Sequence, residues 1–255
     1  IAIPKLSIPS LLTIFNLVKY LMLSFFPLII YYSARKFEFG KISAVGSALV
    51  STLLATNYLY GTDYNALVFR GSGMYTQLWG IFFLPLALSS IYYSLKYSRG
   101  YIKSVVFLSL ALAGHLVFGY IAVLSTPLLL FSLLINGFVY IKRLFLILSS
   151  SFLLLSYWLI PLILNSNYQN KSVWDDFTKF NSYGWQQILK WLFNGEIFDY
   201  GRLPVLTILV AMGFFYALYC FMKNIEKRVT DGRQDPPYLL FPLLFLFWLV
   251  LYFGR

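Results

Sequence analysis

Long apolar runs alternate with short polar gaps along this chain, and most runs are about as long as a membrane-spanning helix. They cover approximately residues 11–34, 42–60, 76–95, 102–116, 118–139, 143–164, 204–222 and 238–253. The hydrocarbon core of a bilayer requires about 20 apolar residues per helix. The pattern therefore predicts an all-α fold, a polytopic transmembrane bundle of seven or eight spans.

The fourth and fifth runs lie close together and could form one helix or two. Residues 102–139 are few for two tilted helices and a loop, but His115 and Gly119 mark a natural place for the chain to turn. A single continuous helix would break the alternation of charge between successive gaps.

Basic residues are concentrated in every second gap, which is the bias that cytoplasmic loops of membrane proteins show. Twelve of the twenty lie in these gaps: Arg35, Lys36, Lys41, Lys96, Arg99, Lys103, Lys142, Arg143, Lys223, Lys227, Arg228 and Arg233. The remaining gaps, including the long loop 165–203, should be extracytoplasmic, as should both ends of the chain. We interpret 1–255 as a single transmembrane domain, a fragment of a longer membrane protein.

The composition indicates the same class of protein. Hydrophobic residues make up 60% of the chain, charged residues 11%, and the mean hydropathy is +0.73, whereas a globular protein is about 25% charged. The net charge of +11 would suggest nucleic acid as a partner of a soluble protein. In a membrane protein it follows from cationic loops that face anionic lipid. We therefore expect membrane lipid, and no nucleic acid, as a partner.

The outer loop 165–203 contains an amphipathic segment. In YGWQQILKWLF (183–193), apolar residues recur at helical spacing with Gln and Lys between them. This pattern predicts a helix that lies in the membrane interface and covers any cavity enclosed by the spans.

His115 is the only histidine, and it falls at the predicted outer end of the fourth span. Titratable groups at membrane depth are costly and are functional candidates, and His is the side chain that titrates nearest neutral pH. A histidine that only donates a hydrogen bond to a neighbouring helix carbonyl is the alternative, and both interpretations stay open. A zinc site is not expected, because it needs three or four ligands.

The outer gap 61–75 and the start of the next span hold further candidates. Arg70, with Asp63 on the same face as His115, could clamp a lipid-linked phosphate through its forked guanidinium. Tyr75 and Gln77 offer a donor and an acceptor to sugar hydroxyls. A surface loop that only turns is the alternative account of the glycines in this gap.

The outer loop also gathers aromatic and polar residues, from Trp174, Asp175 and Asp176 to Asp199 and Arg202. Such a mixture suits carbohydrate, which stacks on aromatic rings and hydrogen-bonds to carboxylates and arginine. The adjacent carboxylates could hold a divalent cation, the one candidate cofactor, or Asp175 could act as a base. Solvated or capping carboxylates are the structural alternative.

Three stretches resemble a known family: FFPLIIYYSARKFEFGK (25–41), GSGMYTQLWGIFFLPLALSSIYYSLK (71–96) leading to LALAGHLVFGYIA (110–122), and SYWLIPLILNS (156–166). They look like the prokaryotic membrane proteins that carry the 6-pyruvoyl-tetrahydropterin synthase-related membrane domain, whose helix pattern is similar to GT-C glycosyltransferases. The resemblance implies no pterin chemistry. It implies a GT-C-like protein of a prokaryotic cell membrane that uses a polyprenyl-phosphate-linked sugar donor at the outer face.

The first functional hypothesis is therefore a membrane glycosyltransferase-like protein. His115 and Asp175 are its catalytic candidates, and its candidates for binding sugar or phosphate are Asp63, Arg70, Tyr75, Gln77, Trp174 and Arg202. The acid that GT-C enzymes use in their first outer loop has no matching position in this sequence. A transporter or flippase of a lipid-linked substrate, and a non-enzymatic scaffold, are the alternatives.

Overall fold

The computed structural model describes residues 10–55, 67, 75–133, 137–168, 182–231 and 237–254, and these contain helices and no strand. The helices are α1 (Leu11–Lys36), α2 (Lys41–Val50), α3 (Tyr75–Tyr97), α4 (Tyr101–Gly114), α5 (Leu116–Ser132), α6 (Gly137–Leu164), α7 (Trp185–Asn194), α8 (Val205–Asp231) and α9 (Leu240–Phe253), with a 3-10 turn at Ser166–Tyr168. The predicted all-α class is confirmed for this part of the chain.

Four helices in these ranges are long and apolar enough to cross a membrane. They are Leu11–Lys36, Tyr75–Tyr97, Val139–Leu164 and Val205–Lys223. Helices α2, α4, α5 and α9 are apolar but shorter. The largest difference from the predicted runs is in α2, which ends at Val50, while 56–60 of the predicted run lie outside the described residues. Ten helical residues extend only about 15 Å.

Four of the helices contain a proline beyond their first turn. They are Pro27, Pro85, Pro127 and Pro161, in α1, α3, α5 and α6 respectively. In water an internal proline costs a helix about 3 kcal/mol, but helices in membranes tolerate it because neighbouring groups satisfy the freed carbonyl. Their frequency agrees with a membrane bundle.

Helix α3 is the centre of the bundle. In its most apolar stretch 56% of the residues are buried, against 17% in α1 and 6% in α8, so the outer helices present their apolar side chains to the surroundings. The main core joins α3 to α4, α5, α6, α9 and the α1–α2 connection. Its buried members are Phe37, Ala87, Ile91, Tyr92, Leu95, Leu108, Ala122, Leu129, Tyr140, Leu144, Ile147 and Leu240.

The last turn of α3, residues 94–97, contacts two neighbouring helices through hydrogen bonds, and we call it the α3 hub. The Ser94 hydroxyl lies 2.7 Å from the Ser104 hydroxyl of α4, and it donates to the Arg99 carbonyl at 2.9 Å. The Arg143 guanidinium of α6 donates to the Leu95 carbonyl at 2.5 Å. The hub therefore fixes the starts of α4 and α6 to the end of α3.

The hub also holds the connection between α1 and α2. Lys96 Nζ lies 2.6 Å from Glu38 Oε2, and the Tyr97 hydroxyl donates to the other oxygen of Glu38. Glu38 itself has a positive φ of 69°, a conformation that non-glycine residues adopt at a cost. The ion pair thus retains a backbone turn that the sequence alone would not favour.

A second group of contacts lies at the opposite end of the bundle, which we call the far end. There the Ala55 amide donates to the Phe198 carbonyl at 3.2 Å, and the Ser182 hydroxyl donates to the Tyr252 carbonyl at 2.6 Å. These bonds join the segment after α2, the residues around α7 and the end of α9.

Removing the Glu38 carboxylate should destabilise the fold. We expect Glu38→Gln to lower the free energy of unfolding by roughly 2–4 kcal/mol, because the Lys96 side chain, 4% exposed, would keep a charge without its partner. Adding Lys96→Met should restore most of the loss, as thermal unfolding in detergent would show. Glu196→Gln, at an exposed position, is the control. A double variant no more stable than Glu38→Gln alone would contradict the role of the pair.

Candidate functional site

A one-residue corner at His115 joins α4 to α5. His115 has extended backbone angles, φ −158° and ψ 117°. Its amide donates to the Ala111 carbonyl at 3.1 Å, and its carbonyl accepts from the Gly119 amide at 3.0 Å. One residue thus ends α4 and begins α5, so the predicted turn within 102–139 is confirmed.

Close backbone approaches define the geometry of this corner. A Cβ atom on Gly119 would lie 2.6 Å from the Cα of Leu112, so α5 folds back along α4. A Cβ atom on Gly80 of α3 would lie 2.8 Å from the Cβ atoms of both His115 and Phe118. Without side chains at Gly80 and Gly119, the corner packs directly on α3.

Two buried polar atoms near the corner have no hydrogen-bond partner among the described residues. They are Nδ1 of His115 and Oε1 of Gln77. Gln77 is 8% exposed and lies three residues before Gly80, so the two share a face of α3, the face that meets His115. An unpaired buried polar atom costs about 1–3 kcal/mol. The corner therefore offers two unpaired polar groups that a ligand could satisfy.

An open apolar groove of about 400 Å³ borders the same corner. It is lined by residues of α4 and α5 on both sides of His115: Leu112, Leu116, Val117, Tyr120 and Val123. Its volume is within the range of small-molecule sites. Because its accessible lining is apolar, it suits a hydrocarbon chain better than a polar ligand.

Tyr75 lies in an aromatic group at the start of α3. Its ring stacks on Phe15 of α1 with 3.9 Å between centroids, and it meets the edge of Trp79 at 6.3 Å. Tyr75 and Gln77 are therefore near the same end of α3 as the corner. The structure brings these two predicted residues and His115 into one region.

Arg202 lies elsewhere at the far end. Its Nε donates to the Asp199 carbonyl at 3.1 Å, and its Nη2 donates to the Leu53 carbonyl. The Asp199 carboxylate is 2% exposed and accepts from the amides of Leu206 and Thr207, each at 3.0 Å. Asp199 therefore caps the first turn of α8, the structural alternative for an outer-loop carboxylate. None of the described contacts of Arg202 reaches the His115 corner.

Asp63, Arg70, Trp174 and Asp175 lie outside the described residues, as does Asp176. Where side chains are described, no three His, Cys, Asp or Glu residues gather as a metal site would require.

The predicted amphipathic helix is present as α7. Ile188 is fully buried, whereas Trp185 and Phe193 are 57% and 78% exposed. Gln186 and Lys190 are also exposed, and Lys190 lies three residues before Phe193 on the same side of the helix. One part of the apolar surface thus packs on the bundle and another part faces outward, as an interfacial helix requires.

Comparison with known proteins identifies no relative: no family model, curated protein or solved structure matches the chain. The class is therefore defined by the helices themselves, an all-α chain with four described helices able to cross a bilayer.

The corner geometry predicts unequal effects of two glycine substitutions. Gly119→Ala should lower the free energy of unfolding by about 1–3 kcal/mol, because the new Cβ would meet the backbone of Leu112. Gly213, in α8, has no atom within 4 Å of the same position, so Gly213→Ala should be neutral or stabilise by up to about 1 kcal/mol. Thermal unfolding of both variants in one detergent tests this. Equal midpoints would contradict the reversal between α4 and α5.

Proposed function

We propose that this chain is a multi-pass membrane protein of seven or eight spans, with its hub end in the cytoplasm and its far end outside. The eight apolar helices α1–α6, α8 and α9 are the proposed spans, of which the short α2 is the eighth. The charge distribution supports this orientation. Cations at the hub end of α1–α4 and α6 are Arg35, Lys36, Lys41, Lys96, Arg99, Lys103, Lys142 and Arg143, and Lys223 ends the span of α8 on the same side. A concentration of Lys and Arg at one end of a bundle is typical of cytoplasmic loops.

Cysteine labelling tests the orientation. In a chain whose native cysteine is replaced by Cys220→Ser, Asn194→Cys should react with an impermeant maleimide in right-side-out vesicles. Ser98→Cys, in the turn after the hub, should react only in inverted vesicles. The Cys220→Ser chain without a new cysteine is the control. Labelling of both positions from the same side would show that the proposed topology is wrong.

At the far end, the proposed activity is glycosyltransferase-like and uses a polyprenyl-phosphate-linked sugar. One observation supports it above all: the His115 corner combines a buried, unpaired ring nitrogen with an apolar groove along α4 and α5, and Gln77 lies on the face of α3 that meets this corner. A lipid-linked sugar has both a hydrocarbon tail and a headgroup rich in hydroxyls. The groove is suited to the tail, and the two polar atoms are suited to the headgroup. The sequence resemblance to GT-C-like membrane proteins supports the same substrate class.

Roles for individual residues follow from this arrangement. His115 is the proposed proton-transferring group, because a neutral imidazole can accept a proton at one ring nitrogen and donate from the other. Gln77 and Tyr75 are proposed to bind sugar hydroxyls. Arg202 retains one guanidinium nitrogen, Nη1, without a described hydrogen bond, and this nitrogen could contact phosphate. Four further residues are proposed from sequence alone. Asp175 is a proposed catalytic residue, and Asp63, Arg70 and Trp174 are proposed to bind sugar or phosphate.

A flippase of the same lipid is the alternative, because it would need the same groove. A flippase must also open a route for the headgroup through both ends of the bundle. At the hub end, the Lys96–Glu38 pair and the Leu95–Arg143 bond hold the elements together. This closed arrangement favours chemistry at the far end over passage through the bundle.

Blocking the groove should weaken substrate binding. We expect Val117→Trp to raise the Kd for a polyprenyl-phosphate sugar in nanodiscs at least about tenfold, because a large ring would fill the space for the tail. Val250→Trp is the matched control, since Val250 of α9 is 60% exposed and Val117 is 55% exposed. Equal affinities of the two variants would exclude the groove from the site.

The same preparation distinguishes the possible activities. His115→Ala should reduce sugar transfer by about 10²-fold or more with little change in Kd, as expected for loss of a general acid or base. Movement of the lipid between leaflets without transfer would assign the flippase class. Failure of the unaltered protein to bind the lipid would contradict both the transferase and the flippase, and it would leave a non-enzymatic scaffold as the remaining hypothesis.

A further inference from the structure

The eight cations of α1–α4, α6 and their connections at the hub end form two groups with different surroundings. Four are held by the protein: Arg35 by the Phe39 carbonyl, Lys36 by the Ser90 hydroxyl, Lys96 by Glu38, and Arg143 by the Leu95 carbonyl. Four others are exposed and make no hydrogen bond or ion pair with the described residues. These are Lys41, Arg99, Lys103 and Lys142, which we call the basic collar.

The three lysines of the collar share a local pattern. Each is adjacent in sequence to an exposed isoleucine near the start of its helix: Lys41–Ile42 in α2, Ile102–Lys103 in α4 and Ile141–Lys142 in α6. The three isoleucines are 90%, 80% and 54% exposed, respectively. Three helices that begin at the hub end thus each present a cation beside an unburied apolar side chain.

The helices that carry these pairs are connected to the hub by hydrogen bonds and an ion pair. Lys103 precedes Ser104, which bonds to Ser94, and Lys142 precedes Arg143, which bonds to Leu95. Lys41 lies three residues after Glu38, which pairs with Lys96. The three lysines therefore lie on elements that bond directly to the last turn of α3.

The charge of the collar is not neutralised by the nearest carboxylate of the α1–α2 connection. Both oxygens of Glu38 are occupied, one by Lys96 and the other by Tyr97. In addition, the N-cap residues of α2 and α4 are Gly40 and Gly100, so neither helix has a side-chain cap. Their first amide groups are therefore further donors for an anion beside the lysines.

We propose that the basic collar binds the headgroups of anionic phospholipids. A phospholipid combines a phosphate with acyl chains, so its headgroup matches the lysines while its chains match the adjacent isoleucines. Nucleic acid would match the charge of the lysines but not the exposed isoleucine beside each of them. The collar is at the opposite end from the proposed sugar-lipid site, and its function is independent of that activity.

A lipid titration tests the collar. The purified full chain is titrated in a neutral detergent with dioleoylphosphatidylglycerol or with dioleoylphosphatidylcholine, and bound lipid is counted by native mass spectrometry. The unaltered protein should prefer the anionic lipid, and the preference should weaken in higher salt. Each lysine near an anionic surface contributes roughly a fivefold change in affinity. The variant K41Q/K103Q/K142Q should therefore bind the anionic lipid about 100-fold more weakly, with unchanged affinity for the neutral lipid.

A single-residue comparison supplies the matched control. K103Q should lose about fivefold in affinity for the anionic lipid, whereas K190Q, at an exposed lysine of α7, should lose none. Exposed Lys→Gln changes should leave the unfolding midpoint unchanged, so a loss of binding would not reflect misfolding. Equal binding of the two lipids, or no effect of the triple variant, would overturn the proposal. So would a triple variant that loses binding to a single-stranded oligonucleotide and keeps its lipid preference.

Discussion

The ion pair between Lys96 and Glu38 is the interaction on which the rest of the bundle depends. In a low-dielectric surrounding, a buried charge must be paired or it destabilises the fold by several kcal/mol. The pair fixes the turn between α1 and α2 beside the end of α3. Because the same turn of α3 also bonds to α4 and α6, the register of the central helices is set at this end. The far end can then be built from looser contacts.

The contrast between α3 and α8 shows how apolar surface is distributed in such a bundle. Most of α3 is buried by its neighbours, while α8 has almost no buried residue in its most apolar part. Lipid is as apolar as a side chain, so burial against protein is not required for stability. What specifies contact instead is small or polar residues, such as Ser94 and Ser104 or Gly80 and Gly119, where helices approach closely.

Features that depend on nearby residues could be predicted from the sequence, and those that depend on distant residues could not. Apolar run length identified the main helices, and the placement of His115 and Gly119 identified the corner. The capping role of Asp199 could not be predicted from the sequence. Its carboxylate accepts from the amides of Leu206 and Thr207, which are separated from it by a turn without a helical pattern. The proximity of Gln77 to the corner depends on packing at Gly80, across 35 residues of chain. The hydrophobic periodicity of the sequence does not indicate such a contact.

The polar groups that the structure describes are paired differently at the two ends of the bundle, and this difference bears on function. At the hub end the Lys96–Glu38 pair and the hydrogen bonds of Ser94 and Arg143 connect neighbouring elements, and the cations of the collar remain exposed. At the far end the buried atoms Oε1 of Gln77 and Nδ1 of His115 have no partner among the described residues, and an apolar groove borders the same corner. A fold selected only for stability would gain by replacing either residue with an apolar one of similar size. Their presence next to a groove suited to hydrocarbon therefore favours a ligand with both polar and apolar parts.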